Sequence, residues 1–259
     1  ASSAQSSLAN TVNALKKRTV SDVIDARPLV QAASGPPCSA ASYAEALAGE
    51  QLEIVDSLGD HVFSSKSSKA PNAKALQKEL KKLQRDLPEP SVDGSVFVRF
   101  DEQRLDLCRC VITGPVDASK TGGIDTPYAY GFFVFDVWFP PTYPSVPPLV
   151  EIVTTGGGTY RFNPNLYADG KVCLSLLGTW KASDESEKWD PSTGSLRQIL
   201  LSIPHQILVS EPYFNEPGRD VARGTSAGKK ASAAHNQELR NATLRLSLIH
   251  ISEPTRQSP

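Results

Sequence analysis

The sequence predicts an α+β domain built on a four-stranded antiparallel meander. Three observations predict it. A one-sided leucine stripe opens the patterned part of the chain. Four strand-like runs then follow one another with no helix between them. Helical periodicity returns only after residues 159–190, which carry neither a 2-residue nor a 3.6-residue period. Strands grouped in sequence, with helices before and after, point to an antiparallel sheet rather than to alternating parallel units.

Residues 1–69 contain 13 Ser and 12 Ala and only two aromatics, Tyr43 and Phe63. So little apolar area does not offset the entropy of ordering a chain, and this stretch reads as a mostly flexible N-terminal extension. Two short helical patterns interrupt it, Leu8/Val12/Leu15 and Tyr43/Ala46/Leu47. The folded domain is expected over residues 70–245. Asn72 is a candidate N-cap. Leu76, Leu80, Leu83 and Leu87 then fall on one helix face with Lys and Gln opposite, and Pro88 ends the helix.

Ser95 to Phe100 alternates apolar and polar residues, and Leu105 to Thr113 is a second run closed by Gly114-Pro115. Eight of the 19 aromatics lie within residues 128–143, which places the third strand, Phe132 to Phe139, at the centre of the sheet. Pro140 to Pro148 donates few backbone bonds and must be loop. Leu149 to Thr154 is the fourth strand, ended by three glycines. A structureless stretch as long as 159–190 is unusual inside a compact domain unless it carries function. Ser195 caps a helix bearing Leu196, Ile199, Leu200, Ile203 and Ile207, in which Pro204 predicts a bend. Residues 233–248 read as a last helix. Residues 246–259 read as a tail, and Leu248 to Arg256 looks like translated adaptor sequence.

Composition excludes several classes. Lys plus Arg total 27 against 28 Asp plus Glu, a net charge of -1 that leaves no footprint for nucleic acid. No apolar run approaches the ~18 residues of a membrane span. Four cysteines make no disulfide framework, which favours a reducing compartment. With no Met the sequence reads as a piece of something longer, and no apolar signal region is visible at Ala1. Cys108 and Cys110 share a strand face without a second pair or a nearby His, so packing is preferred to zinc binding. Cys38 lies in the extension, and His205 reads as structural or solvated. Gly228-Lys229-Lys230 lacks the spacing and the hydroxyl of a phosphate loop.

The long irregular segment holds Tyr160-Arg161-Phe162-Asn163-Pro164-Asn165-Leu166 and, eight residues past Asn165, Cys173 within Gly170-Lys171-Val172-Cys173-Leu174-Ser175. With Gly114-Pro115, Thr126-Pro127-Tyr128, Tyr143-Pro144, Pro147-Pro148 and Glu211-Pro212 in the same order, residues 70–245 resemble the ubiquitin-conjugating (E2, UBC) fold family. Asn163 stands where most members carry His. Asn-Pro-Asn-Leu-Tyr, the insert between Trp180 and Trp189, and Glu211 to Gly218 resemble the E2/E3-hybrid branch, found in a giant inhibitor of apoptosis.

The resemblance implies a transferase that accepts ubiquitin from an activating enzyme (E1) as a thioester on Cys173 and passes it to substrate lysines. Intrinsic ligase activity comes with the hybrid branch. Its partners are ubiquitin, the E1 and protein substrates. It needs no cofactor or metal of its own, because the E1 consumes the ATP. It would work in the cytoplasm, or at an endomembrane reached through the rest of a larger protein. Aminolysis of a thioester builds negative charge on the carbonyl oxygen, and Asn165 matches the family's amide donor for that charge. The alternative for Asn165 is holding the loop through backbone hydrogen bonds. Glu216 falls at the family's acidic gate position, where it orients or helps deprotonate the incoming lysine; a solvated loop charge is the competing view. Cys173, in an irregular stretch, is expected to be accessible. Ser145 replaces the bulky apolar anchor usual after Tyr-Pro, so ordinary RING-ligase docking is not expected. Competing functions are a non-catalytic ubiquitin-binding variant, which would lack Cys173, and a cysteine hydrolase, which would need a His partner.

Overall fold

A computed structural model describes residues 40–67, 71, 73–116, 126–180 and 184–248. Helix α1 spans Ala40–Leu47 and strand β1 Leu52–Val55. Helix α2, Ala73–Asp86, precedes strands β2 (Val96–Asp101), β3 (Leu107–Thr113), β4 (Phe132–Trp138) and β5 (Leu149–Ile152). Helix α3, Leu196–Ser202, runs into a π-helical turn at Ile203–Ile207, and helix α4, Ser226–Ala242, into another at Thr243–Leu248.

The predicted meander is present, and a fifth strand joins it. Strand order is β1-β2-β3-β4-β5, with β1 parallel to β2 and the other pairs antiparallel. Side chains alternate across the sheet as the register requires. Val98, Phe100, Cys108, Cys110, Ile112, Phe133, Phe135 and Val137 face the core, where Leu76, Leu80 and Leu83 of α2 and Leu196, Ile199 and Leu200 of α3 close over them. Cys108 and Cys110 are fully buried packing residues. Asn72 lies outside the described residues, as do Cys38 and the 117–125 stretch.

The expected boundary at residue 70 is corrected. Ile54 and Val55 pair with Phe100 and Asp101 and are buried. Residues 56–67 then cross the outer face of the sheet. Leu58 N–H donates to Asp101 (2.9 Å), Val62 N–H to Asp136 (2.8 Å), and Phe63 packs on Leu107 and Trp138. His61 is buried, with its Nδ1 accepting from Phe63 N–H, so Nε2–H donates to the Cys108 carbonyl (3.1 Å). The Ser- and Ala-rich composition hid this segment because three or four well-placed apolar groups suffice when the sheet supplies the rest of the pocket. The flexibility expected of residues 1–39 concerns residues outside those described.

Two further expectations change. At Pro204 the helix widens as well as losing an N–H donor: Leu208 N–H bonds Ile203 O at 3.1 Å, five residues back, rather than Pro204 O. The domain also runs past residue 245. Ser247 Oγ accepts from Phe132 N–H (2.5 Å) and donates to Phe132 O (3.0 Å), tying the end of α4 to the sheet.

Candidate active site

Among the described residues, 159–190 contain two short 3-10 turns, Ser175–Leu177 and Glu185–Glu187, and isolated bridges at Asn163, Leu166, Lys171 and Val172 that tie the stretch to itself and to β5. Phe162, Leu166, Val172 and Leu174 enter the core, so the segment alternates between buried anchors and exposed turns without a repeating period. Gly170, at φ 94°, turns the chain back so that its carbonyl accepts from Ile152 N–H of β5.

Cys173 and Asn165 are brought together by two hydrogen bonds. Cys173 N–H donates to Asn165 O (2.8 Å), and Asn165 Nδ2 donates to Cys173 O (3.0 Å). Both line a cavity of about 200 Å³ shared with Leu174, Ser175, Trp180, Gln206, Ile207 and Asn215. The irregular stretch does not leave Cys173 openly accessible: the residue is 2% exposed, because Val172 and Leu174 on either side are core residues that draw the backbone inward. The thiol borders the cavity wall rather than projecting into solvent.

Asn163 organises the turn. It is 1% exposed and saturates its amide: Nδ2 donates to Tyr128 Oη (2.9 Å) and Ile207 O (2.8 Å), while Oδ1 accepts from Asn165 N–H (2.8 Å) and Asn215 Nδ2 (3.4 Å). Tyr128 Oη–H donates to Phe162 O (2.9 Å), and burial pushes the pKa of that phenol far above its ordinary range. Asn215 Nδ2 also donates to Gln206 O (3.0 Å), joining the turn at Pro212–Asn215 to the end of α3.

Glu216 stands apart from the cavity-lining residues and pairs with Arg161 at 3.5 Å; their side chains are 34% and 40% exposed. Sequence reasoning missed Asn215, Gln206 and Arg161. Arg161 lies two residues before Asn163 in the same motif, and Asn215 lies next to Glu216. Proximity to the motif was the available signal, but side-chain direction was not. Ser145 is exposed. Trp189, at the end of the insert, donates Nε1–H to Pro144 O (2.8 Å) and packs on Tyr143, so the two loops flanking Ser145 are tied together.

A family model described as ubiquitin-conjugating enzyme matches residues 75–242. The chain belongs to the ubiquitin-conjugating enzyme family. A human relative, the dual E2 ubiquitin-conjugating enzyme/E3 ubiquitin-protein ligase BIRC6, is 50% identical over 183 residues, which is 71% of this chain and 4% of that protein. The Caenorhabditis elegans probable ubiquitin-conjugating enzyme protein 17 is 46% identical over 171 residues, covering 66% of this chain and 22% of the relative. The chain therefore spans a small fraction of the curated relatives it matches. Among solved structures, the E2 domain of a Toxoplasma gondii ubiquitin conjugating enzyme aligns with a TM-score of 0.45 and 23% identity over 68% of this chain and 99% of that one. The expected UBC family agrees with the family model and these curated relatives, and the expected α+β class with the observed sheet and helices.

Proposed function

We propose that this domain carries ubiquitin as a thioester on Cys173 and transfers it to lysine side chains, with the ligase-like independence of the hybrid branch. The observation that carries the reading is the pairing of Cys173 with Asn165 in one cavity, inside a family match that spans both. In loading, the Cys173 thiolate attacks the carbonyl of the ubiquitin–E1 thioester and the E1 thiolate leaves. In transfer, a lysine amine attacks the Cys173 thioester, an oxyanion forms, and the Cys173 thiolate departs as the isopeptide bond closes. The amine sheds its proton to solvent or to a basic group at the rim.

An amide nitrogen has two donors. One N–H of Asn165 holds the Cys173 carbonyl; the second is available to the oxyanion. Glu216 is then a rim carboxylate that orients the incoming ammonium, with its charge balanced by Arg161.

Charging with E1, ATP and ubiquitin tests this. Wild-type protein should give a reductant-sensitive band, Cys173→Ala none, and Cys173→Ser a slower, reductant-resistant oxyester. A wild-type domain that binds ubiquitin but never charges would establish the non-catalytic alternative, and charging of Cys173→Ala would overturn the site.

A further inference from the structure

The peptide unit that precedes Asn165 is gripped from both ends. Its N–H donates to Asn163 Oδ1 at 2.8 Å, and its carbonyl, that of Pro164, accepts from Arg161 Nη2 at 2.6 Å. The neighbouring carbonyl, that of Asn163, accepts from Arg161 Nε at 3.2 Å. Nε and Nη2 are adjacent donors on one rigid, planar guanidinium. Two consecutive carbonyls bound to that fork have their relative orientation fixed, and with it the plane from which Asn165 departs. Arg161 is itself held, with its Cζ 4.2 Å over the Tyr167 ring and the same Nη2 that donates to Pro164 O lying 3.5 Å from a Glu216 carboxylate oxygen.

We infer that Arg161 is a positioning residue for the transfer step: it fixes the Asn163-Pro164-Asn165 backbone so that the Asn165 amide stays aimed at the Cys173 acyl group. Arg161 is not among the residues that line the cavity, so it acts through Asn165. This rests on the thioester reading above and deepens it. The same arrangement gives Glu216 a second task, since its carboxylate steadies the fork as well as marking the rim. Loading, in which the Cys173 thiolate attacks a thioester presented by another protein, depends less on this geometry. Aminolysis depends on it more, because the oxyanion must meet a pre-aimed donor, and small misplacements of a catalytic group are costly.

The test compares the unaltered domain with Arg161→Ala and Arg161→Lys. Each is charged, and single-turnover discharge to free lysine is followed across lysine concentrations. The expected result is normal charging, a maximal discharge rate lower by about ten- to a hundredfold, and an unchanged half-saturating lysine concentration in both variants. Arg161→Lys keeps the positive charge beside Glu216 but has no fork, so it should not rescue the rate. Wild-type discharge by Arg161→Ala, full rescue by Arg161→Lys, or an equal loss of charging and discharge would each overturn the inference. Failure of the unaltered domain to charge would instead remove the thioester reading, and this inference with it.

Discussion

At Asn165 the two roles expected from its position are compatible. The side chain donates one N–H to the Cys173 carbonyl, and its second N–H is the donor that the proposed transfer step assigns to the oxyanion. Asn165→Ala should therefore charge normally and discharge to lysine about 100-fold more slowly, in the range known for loss of one oxyanion donor. A discharge rate equal to wild type would restrict Asn165 to holding the loop. The type and spacing of Asn165 and Cys173 were legible in the sequence because the motif is short and contiguous. The burial of Cys173 was not, since an aperiodic segment says nothing about which of its residues turn inward. The role of Asn163 as a saturated amide hub was also hidden: two of its four partners, Ile207 and Asn215, are 44 and 52 residues away.

Among the elements, α2 and α3 are joined by a buried carboxylate that no periodicity reveals. Glu79 of α2 accepts Leu196 N–H at the start of α3 (2.8 Å) and Tyr143 Oη–H from the loop after β4 (2.6 Å). It sits among leucines on a face that the sequence marks as apolar, because polarity is tolerated there once hydrogen bonds satisfy it. Burial raises its pKa above the ordinary 4.5. The folded protein thus holds this proton more tightly than the unfolded chain does. The associated stability is fully present below about pH 4.5 and is lost as pH rises through the raised value. Glu79→Gln removes that titration. In denaturant melts between about pH 4.5 and 7, the stability of wild type relative to Glu79→Gln should fall with rising pH. A constant difference would show that Glu79 titrates as it does in the unfolded chain. Strands β3, β4 and β5 were readable because each is a compact apolar run closed within a few residues by Gly or Pro, and β2 because apolar and polar residues alternate along it. The π-helical widening at Ile203–Ile207 was only half readable: Pro204 announced an irregularity without saying which.

For the whole molecule, the decisive addition is the segment ahead of α2. Strand β1 and residues 56–67 cover the sheet edge and its outer face, burying Ile54, Val55, His61 and Phe63. Fully burying an apolar side chain contributes about 1.5–3 kcal/mol. A chain beginning at residue 70 should therefore be at least ~3 kcal/mol less stable than one beginning at residue 40. Equal unfolding midpoints would mean that the segment only rests on the sheet. Its contribution escaped the sequence reading because parallel pairing of Leu52–Val55 with Val98–Asp101 is a long-range event that local composition does not encode.

The cavity beside Cys173 has one more property. Of the three tryptophans, Trp138 is packed under Phe63 with its N–H on Asp106, and Trp189 is anchored on Pro144, whereas Trp180 is half-buried and forms part of the wall that Cys173 shares. Trp180 is thus the indole nearest to where the proposed acyl group would sit, while the other two are held by partners elsewhere. Charging of Cys173, as proposed, is therefore expected to change tryptophan emission through Trp180 without any attached dye, and emission identical before and after charging would show that the acyl group does not reach that wall.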